Sequence, residues 1–446
     1  MSRERFLIEG ATLVDGQATD ILVDDGFLTV GPDARDGAAD ATRIDAAGLI
    51  ALPGLVDLHT HLREPGFEQS ETVLTGTRAA AAGGYTTVFA MANTSPVADT
   101  AGVVEQELSL GRAAGYATVQ PIGAVTVGLA GERLAELGAM AASRAKVRVF
   151  SDDGVCVADP LLMRRALEYV KAFDGVIAQH AQEPRLTAGA QMNEGALSGT
   201  LGLTGWPAVA EESIIARDVL LAEHVGSRLH VCHVSTAGSV EIVRWAKARG
   251  IDVTAEVTPH HLLLTEDLVA GYDARYKVNP PLRRADDVQA LREGLADGTI
   301  DIVATDHAPH PIEAKDCEWD AAANGMVGLE SALSVVQKAM VDTELLSWRD
   351  VARVMSAIPA SIGRADAGAP VASGSRADLT LYDPGVSEVF ATARLAGKGV
   401  NSPYLGIDLP GRVRWTFHGG TATLRDGALI EIDDAAAQAR EELARG

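Results

Sequence analysis

Through the middle of the chain, short apolar runs rich in β-formers alternate with polar turns and amphipathic stretches. The runs Leu55–His61, Tyr85–Met91, Ala117–Ala124, Lys146–Asp152, Gly175–His180, Arg228–His233, Asp252–Thr258 and Asp301–Asp306 read as strands. Between them, stretches such as Ser70–Ala82, Leu161–Lys171, Glu211–Glu223, Ser239–Arg249 and Asp286–Leu295 read as helices. Strands alternating with helices imply right-handed crossovers and a parallel sheet. The number of these units is that of an α/β fold closed into a (β/α)8 TIM-type barrel. A doubly wound open sheet competes, but no Gly-x-Gly-x-x-Gly turn follows the first strand.

The two ends read differently. Phe6–Glu9, Asp20–Val23 and Phe27–Val30 near the start, and Leu379–Tyr382, Arg412–Phe417 and Thr421–Leu424 near the end, are short strand-like pieces separated by turns. Neither end is long enough to bury a core alone, so the two are expected to pack together as one small β-sandwich. The expected division is 1–52 and 369–446 for the two parts of the sandwich, with 53–368 forming the barrel. The acidic, Ala-rich tail from Asp433 onward reads as a surface helix or frayed end.

Composition narrows the function classes. Lys and Arg number 38 against 61 Asp and Glu, a formal charge of −23. Such a surface repels phosphate backbones and anionic membranes, so neither nucleic acid nor a membrane is an expected partner. Apolar residues make up 47 % of the 446, which excludes global disorder. Cys156, Cys232 and Cys317 are too few for a disulfide framework, and the start MSRERFLIEG carries no signal-peptide core. A cytoplasmic location is expected.

The candidate chemistry collects at strand ends. His59 and His61, two apart in DLHTHLREPG, face the same side of a strand. His180 closes the fifth strand, His233 the sixth and Asp306 the eighth, while Asp152 and Asp153 follow the fourth. That rim is where barrel active sites assemble. Imidazoles with carboxylates suit zinc, with cobalt or manganese as substitutes, and their number suggests two ions sharing a carboxylate. Such a pair leaves a locally positive pocket in which an anionic substrate can bind. Spacing alone does not separate Asp152 from Asp153. Read singly, His230, His224, His260, His261, His307 and His418 are structural, and Cys232 and Cys317 are ordinary thiols.

The ensemble of segments resembles the cyclic amidohydrolases, most closely the class I (bacterial type) dihydroorotases of the amidohydrolase superfamily. The resemblance is carried by DLHTHLREPG (57–66), AAGGYTT (81–87), MANTSPVAD (91–99), FSDDG (150–154), AQH (178–180), HVCHVST (230–236), VNPPLR (278–283), ATDHAPH (304–310) and GLESAL (328–333). It implies one zinc on His59, His61 and Asp306, a second on His180 and His233, and Asp153 bridging the two Zn2+ ions. In hydantoinases, dihydropyrimidinases and allantoinases a carboxylated lysine usually bridges; here the nearest lysine, Lys146, lies a strand's length away.

The same resemblance implies a substrate site. Arg63, Asn93 and His310 would hold a carboxylate, Asn279 a ring amide, and the backbone at Asn324 and Gly325 the ring, beside His61. Arg63 continues the parity of His59 and His61 if the strand runs on for two residues. The implied reaction is reversible cyclisation of N-carbamoyl-L-aspartate to L-dihydroorotate by metal-activated hydroxide, with Asp306 as general base and then acid. A homodimer is the family expectation, with aspartate transcarbamoylase as a possible associate. Pro311–Ala323 is expected to be a lid. Two rivals remain open: another cyclic amidohydrolase, and a silent homologue that scaffolds aspartate transcarbamoylase.

Overall fold

The computed structural model describes residues 4–432, so the tail from Asp433 lies outside the described residues. The chain is α/β with parallel sheets. Leu55–Thr60, Tyr85–Ala90 and Thr118–Pro121 form one parallel sheet. Val149–Phe150, Val176–Gln179, Leu229–Val231, Val253–Val257 and Ile302–Val303 form another. Single parallel bridges, Gly123 with Phe150 and Thr60 with His307, connect the edges of the two sheets. Each expected strand is present but shorter, because pairing covers only the middle of each apolar run: Lys146–Asp152 narrows to Val149–Phe150, and Asp301–Asp306 to Ile302–Val303.

The helices fall within a few residues of their expected bounds, and side-chain caps set several starts. Asp159 accepts the Leu162 N–H at 2.8 Å to begin Pro160–Val170. Thr236 accepts the Ser239 N–H at 3.0 Å to begin Ala237–Ala248. Such a cap satisfies one otherwise orphaned donor and is worth about 1 kcal/mol. The helices bury Val104, Leu167, Val219, Val243 and Leu291 against Val88, Ile177, Leu229 and Val257 of the strands, at about 1.5–3 kcal/mol for each fully buried side chain. Among the described residues no helix is long and apolar enough to cross a membrane.

Strands from both ends of the chain make one nine-stranded sheet. The join is antiparallel, Ile50–Pro53 against Leu379–Val389, with Leu379 opposite Pro53. Ile50–Pro53 and Thr42–Asp45 were not expected as strands. Leu379–Val389 and Asp408–His418 run further than their apolar cores suggested. Phe6, Ile21, Leu381 and Phe417 form this sheet's core, with the rings of Phe6 and Phe417 edge-on at 5.2 Å.

Candidate metal centre

The strand ends deliver their polar residues to one spot. His59 is the next-to-last residue of Leu55–Thr60, and His61 follows it. His180 directly follows Val176–Gln179, while His233 and Asp306 lie two and three residues beyond their strands. His233 (φ +32°) and Asp306 (φ +47°) occupy the left-handed region, a conformation that costs of order 1–3 kcal/mol and persists only when neighbours fix it. The strand of Asp57 is tied to that of Asp306, since Asp57 accepts the Thr305 N–H at 2.9 Å and the Thr305 hydroxyl.

Asp153 occupies the middle. Its Oδ1 is 3.2 Å from His180 Nδ1, 3.2 Å from His233 Nε2 and 3.5 Å from His59 Nε2, and its Oδ2 is 3.3 Å from His61 Nε2. Asp306 Oδ1 stands 3.1 Å from His61 Nε2 and 3.5 Å from His59 Nε2. Asp152 faces away, accepting the N–H groups of Val125 and Thr126 at 2.8 and 2.9 Å and the Thr126 hydroxyl. Geometry therefore separates the two neighbours that spacing could not.

Outer partners fix the imidazole tautomers. His59 donates Nδ1–H to Glu256 at 2.6 Å, His61 donates Nδ1–H to Asn93 Oδ1 at 2.9 Å, and His180 donates Nε2–H to Gln182 Oε1 at 2.8 Å. The opposite nitrogen of each ring then turns a lone pair toward carboxylate oxygens. Among the described residues His59 Nε2 is buried without a hydrogen-bond partner, and His180 Nδ1 faces His233 Nε2 at 2.9 Å. Converging lone pairs and carboxylates repel one another unless a cation lies between them, so this donor set fits divalent metal. Two groups of ligand atoms, His59–His61–Asp153 and Asp153–His180–His233, each lie within 4.8 Å of one another. When His59 and His61 carry protons in place of a cation, which the neighbouring carboxylates favour, their charge outweighs the burial of Asp306 and holds its carboxyl down to about 2.

Above this cluster opens a cavity of about 300 Å3 whose wall includes Arg63, Asn93, Asn279, His310, Asn324 and Gly325 together with His61, Asp153, His180 and Asp306. Arg63 arrives there by a route that parity did not foresee. The strand ends at Thr60, and Arg63 takes φ +64° in the turn that follows. Its Nε–H bonds Pro309 O at 3.2 Å. Burial lowers the guanidinium to about 10, so it remains a cation at neutral pH. The turn is locked where Gly66 (φ +101°) meets the Asn93 loop: a Cβ there would sit 2.2 Å from Ser95 O, and Ser95 N–H bonds Pro65 O at 2.9 Å. Ala92 tightens that loop, its carbonyl accepting the Thr94 and Ala98 N–H groups.

Asn279 donates Nδ2–H to Gln182 Oε1 at 3.1 Å, leaving its Oδ1 for a ligand. His310 is kept neutral by burial, which lowers it to about 3, and its Nε2–H is committed to Asn324 O at 2.7 Å. Gly325 (φ +139°) passes so close that a Cβ would sit 2.8 Å from that nitrogen. Asn401 braces the same loops through Ala308 O, Gly325 O and the His310 N–H. Segment 311–323 is pinned by Lys315, whose Nζ bonds Lys277 O and Ala323 O.

Glu256, Gln182 and Asn401 were absent from the sequence reading. Only Glu256 left a trace there, as an acid inside the run Val253–Val257. Among the histidines read as structural, His261 bonds Thr258 and Pro280 O, His307 accepts the Gly328 N–H, and His418 meets Thr118. His230 instead contacts Glu256, one step from the cluster. Cys232 is buried and its thiol is pushed up by that burial.

Residues 48–239 match the family model described as Dihydro-orotase-like. The chain is 78 % identical to the dihydroorotase of Leifsonia xyli subsp. xyli, covering 97 % of this chain and 98 % of that one. It is 68 % identical to the dihydroorotase of Streptomyces coelicolor, covering 95 % and 99 %, and 56 % identical to that of Mycobacterium tuberculosis, covering 93 % and 97 %. Among solved structures, the L-hydantoinase (dihydropyrimidinase) of Arthrobacter aurescens superposes with a TM-score of 0.84 at 25 % identity, covering 97 % and 98 %. The dihydropyrimidinase of Brevibacillus agri gives 0.83 at 23 %, covering 97 % of each chain, a likeness of fold.

Proposed function

The chain belongs to the dihydroorotase family of cyclic amidohydrolases, and on that premise we propose that it interconverts N-carbamoyl-L-aspartate and L-dihydroorotate. The observation that carries this reading is a single cavity in which the Arg63 cation faces the imidazole–carboxylate cluster. A substrate with a ring carboxylate beside a hydrolysable amide needs both walls; a dihydrouracil-type ring needs only the second. Asp153 stands among the four imidazoles, whereas Lys146 is exposed three residues before Val149–Phe150, which favours this reading over a lysine-bridged hydantoinase.

In the metal reading, His59, His61 and Asp306 would hold one Zn2+ ion, His180 and His233 a second, and Asp153 would serve both. Ions held there would supply Lewis acidity toward the ring carbonyl and would make a nearby water more acidic. Asp306, ionised at neutral pH, takes a proton from the attacking water and delivers it to the departing ring nitrogen, then reverses these roles for ring closure. Arg63 holds the ring carboxylate bidentately. Asn93, whose Oδ1 is committed to His61, offers its Nδ2–H2 to the same group, and Asn279 Oδ1 receives the ring N–H. His310 joins the carboxylate once its N–H leaves Asn324 O. Asn324 and Gly325 line the ring with backbone, and segment 311–323 closes over it.

The two parallel sheets and their connecting bridges support a closed (β/α)8 barrel over 53–368, and the nine-stranded sheet, from Phe6–Leu13 to Ala428–Leu429, supports a sandwich domain built from both chain ends. Family membership supports a homodimer in the cytoplasm, with association to aspartate transcarbamoylase as a further possibility to test by co-purification. The deciding experiment compares hydrolysis of L-dihydroorotate with that of hydantoin, dihydrouracil and allantoin. Turnover confined to dihydroorotate supports the proposal, and preference for any uncharged ring refutes it.

A further inference from the structure

We infer that Glu256 is a positioning residue that clamps both halves of the metal centre at once, through the ring of His59 and the backbone of His233. The inference rests on the metal reading above. Glu256 is 1 % exposed, where an unpaired carboxylate would be strongly destabilising, and both of its oxygens are engaged. Oε1 accepts the His59 Nδ1–H at 2.6 Å and the His233 backbone N–H at 3.2 Å. Oε2 accepts the His230 Nε2–H at 3.0 Å. His230 is anchored in turn by the Thr254 hydroxyl at 2.8 Å, two residues before Glu256 and so on the same side of the strand.

Each contact has a consequence at the cluster. Placing the His59 proton on Nδ1 leaves the Nε2 lone pair for an ion, and among the described residues that nitrogen has no hydrogen-bond partner. Holding the His233 N–H stabilises a backbone at φ +32°, which a histidine adopts only under constraint, and this sets where its ring points. The rings of His59 and His233 lie 5.3 Å apart and belong to different ion positions. Asp153 joins the two positions from the front; Glu256 joins them from behind. A glutamine keeps one acceptor oxygen for His59 and His233 but removes the negative charge that strengthens the His59 Nδ1–H bond, and it turns an N–H2 toward His230, which must then change tautomer.

The test follows loss of metal from loaded protein into excess chromogenic chelator, with melting of the stripped protein recorded beside it. Wild type is expected to hold two equivalents and release them slowly. Glu256→Gln is expected to release both equivalents 10–100-fold faster, in one phase, as removal of an outer-shell partner does. His230→Phe, which frees Oε2 but keeps the carboxylate, is expected to accelerate both several-fold and serves if Glu256→Gln does not fold. Asp218→Asn, a buried carboxylate bonded to Gln179 away from the cluster, is expected to lower the melting temperature with release unchanged. Faster release of one equivalent only, of neither, or an equal acceleration by Asp218→Asn overturns the clamp. A wild type that holds no metal overturns the underlying metal reading instead.

Discussion

Asp152 and Asp153 are adjacent in the chain and do opposite work. Asp152 Oδ1 binds the backbone of Val125 and Thr126 at 2.8 and 2.9 Å, while Asp153 Oδ1 stands 3.2 Å from both His180 Nδ1 and His233 Nε2. Asp153→Asn is therefore expected to fold normally and to lose at least one equivalent of metal, with activity falling 100-fold or more. Asp152→Asn is expected to keep its metal and lose about 1–3 kcal/mol of stability, the cost of leaving buried donors unpaired. Metal analysis and thermal melts of the two variants check this directly.

Arg63 is the cation of the cavity. Arg63→Met is expected to raise KM for dihydroorotate about 100-fold, consistent with the roughly 1.5–3 kcal/mol of a hydrogen bond to a charged group, while bound metal stays unchanged. Steady-state kinetics with metal content on the same preparation test this. Arg63→Lys is expected to recover only part of the loss, since an ammonium lacks the bidentate fork.

Buried neutral histidines set the acid limit of stability. Burial lowers His260 to about 4 and His261 well below its usual value. As pH falls below about 6.5, the unfolded chain takes up protons that these folded imidazoles refuse, so stability drops by about 1.4 kcal/mol per pH unit for each such group. The loss begins near the unfolded value and for His260 is complete by about pH 4. Among the described residues His260 Nε2 has no hydrogen-bond partner, so His260→Leu is expected to be nearly neutral at pH 7 and more stable than wild type by roughly 2 kcal/mol at pH 5. Denaturant melts at both pH values measure it.

The segment 311–323 is held by a few polar contacts from Lys315 and Lys277 to backbone carbonyls. If it closes over the ring, saturating dihydroorotate slows its cleavage by a protease several-fold, and Lys315→Ala abolishes the protection. Equal cleavage with and without substrate removes the lid.

Much of this was legible because the site residues end strands. His59, His180, His233 and Asp306 each stop an apolar run, and a parallel sheet with helical crossovers brings such stops to one rim. Ile50–Pro53 was missed because only Gly54 separates it from the next strand, so one continuous apolar run concealed two strands in different sheets. Arg63 lines the cavity by a route that parity did not require, since a left-handed turn replaces the extended chain. Glu256, Gln182 and Asn401 acquire meaning only from partners remote in sequence, as Asn401 does from Ala308 across the loops, and no local pattern announces that.

The most direct measurement is dihydroorotate hydrolysis with metal content determined on the same sample, for wild type and for Asp306→Asn. The account predicts about two dications per wild-type chain, activity that disappears with chelation and returns with zinc, and a variant at least 100-fold slower because its proton carrier is gone. Full turnover by Asp306→Asn, or by wild type stripped of metal, would contradict it.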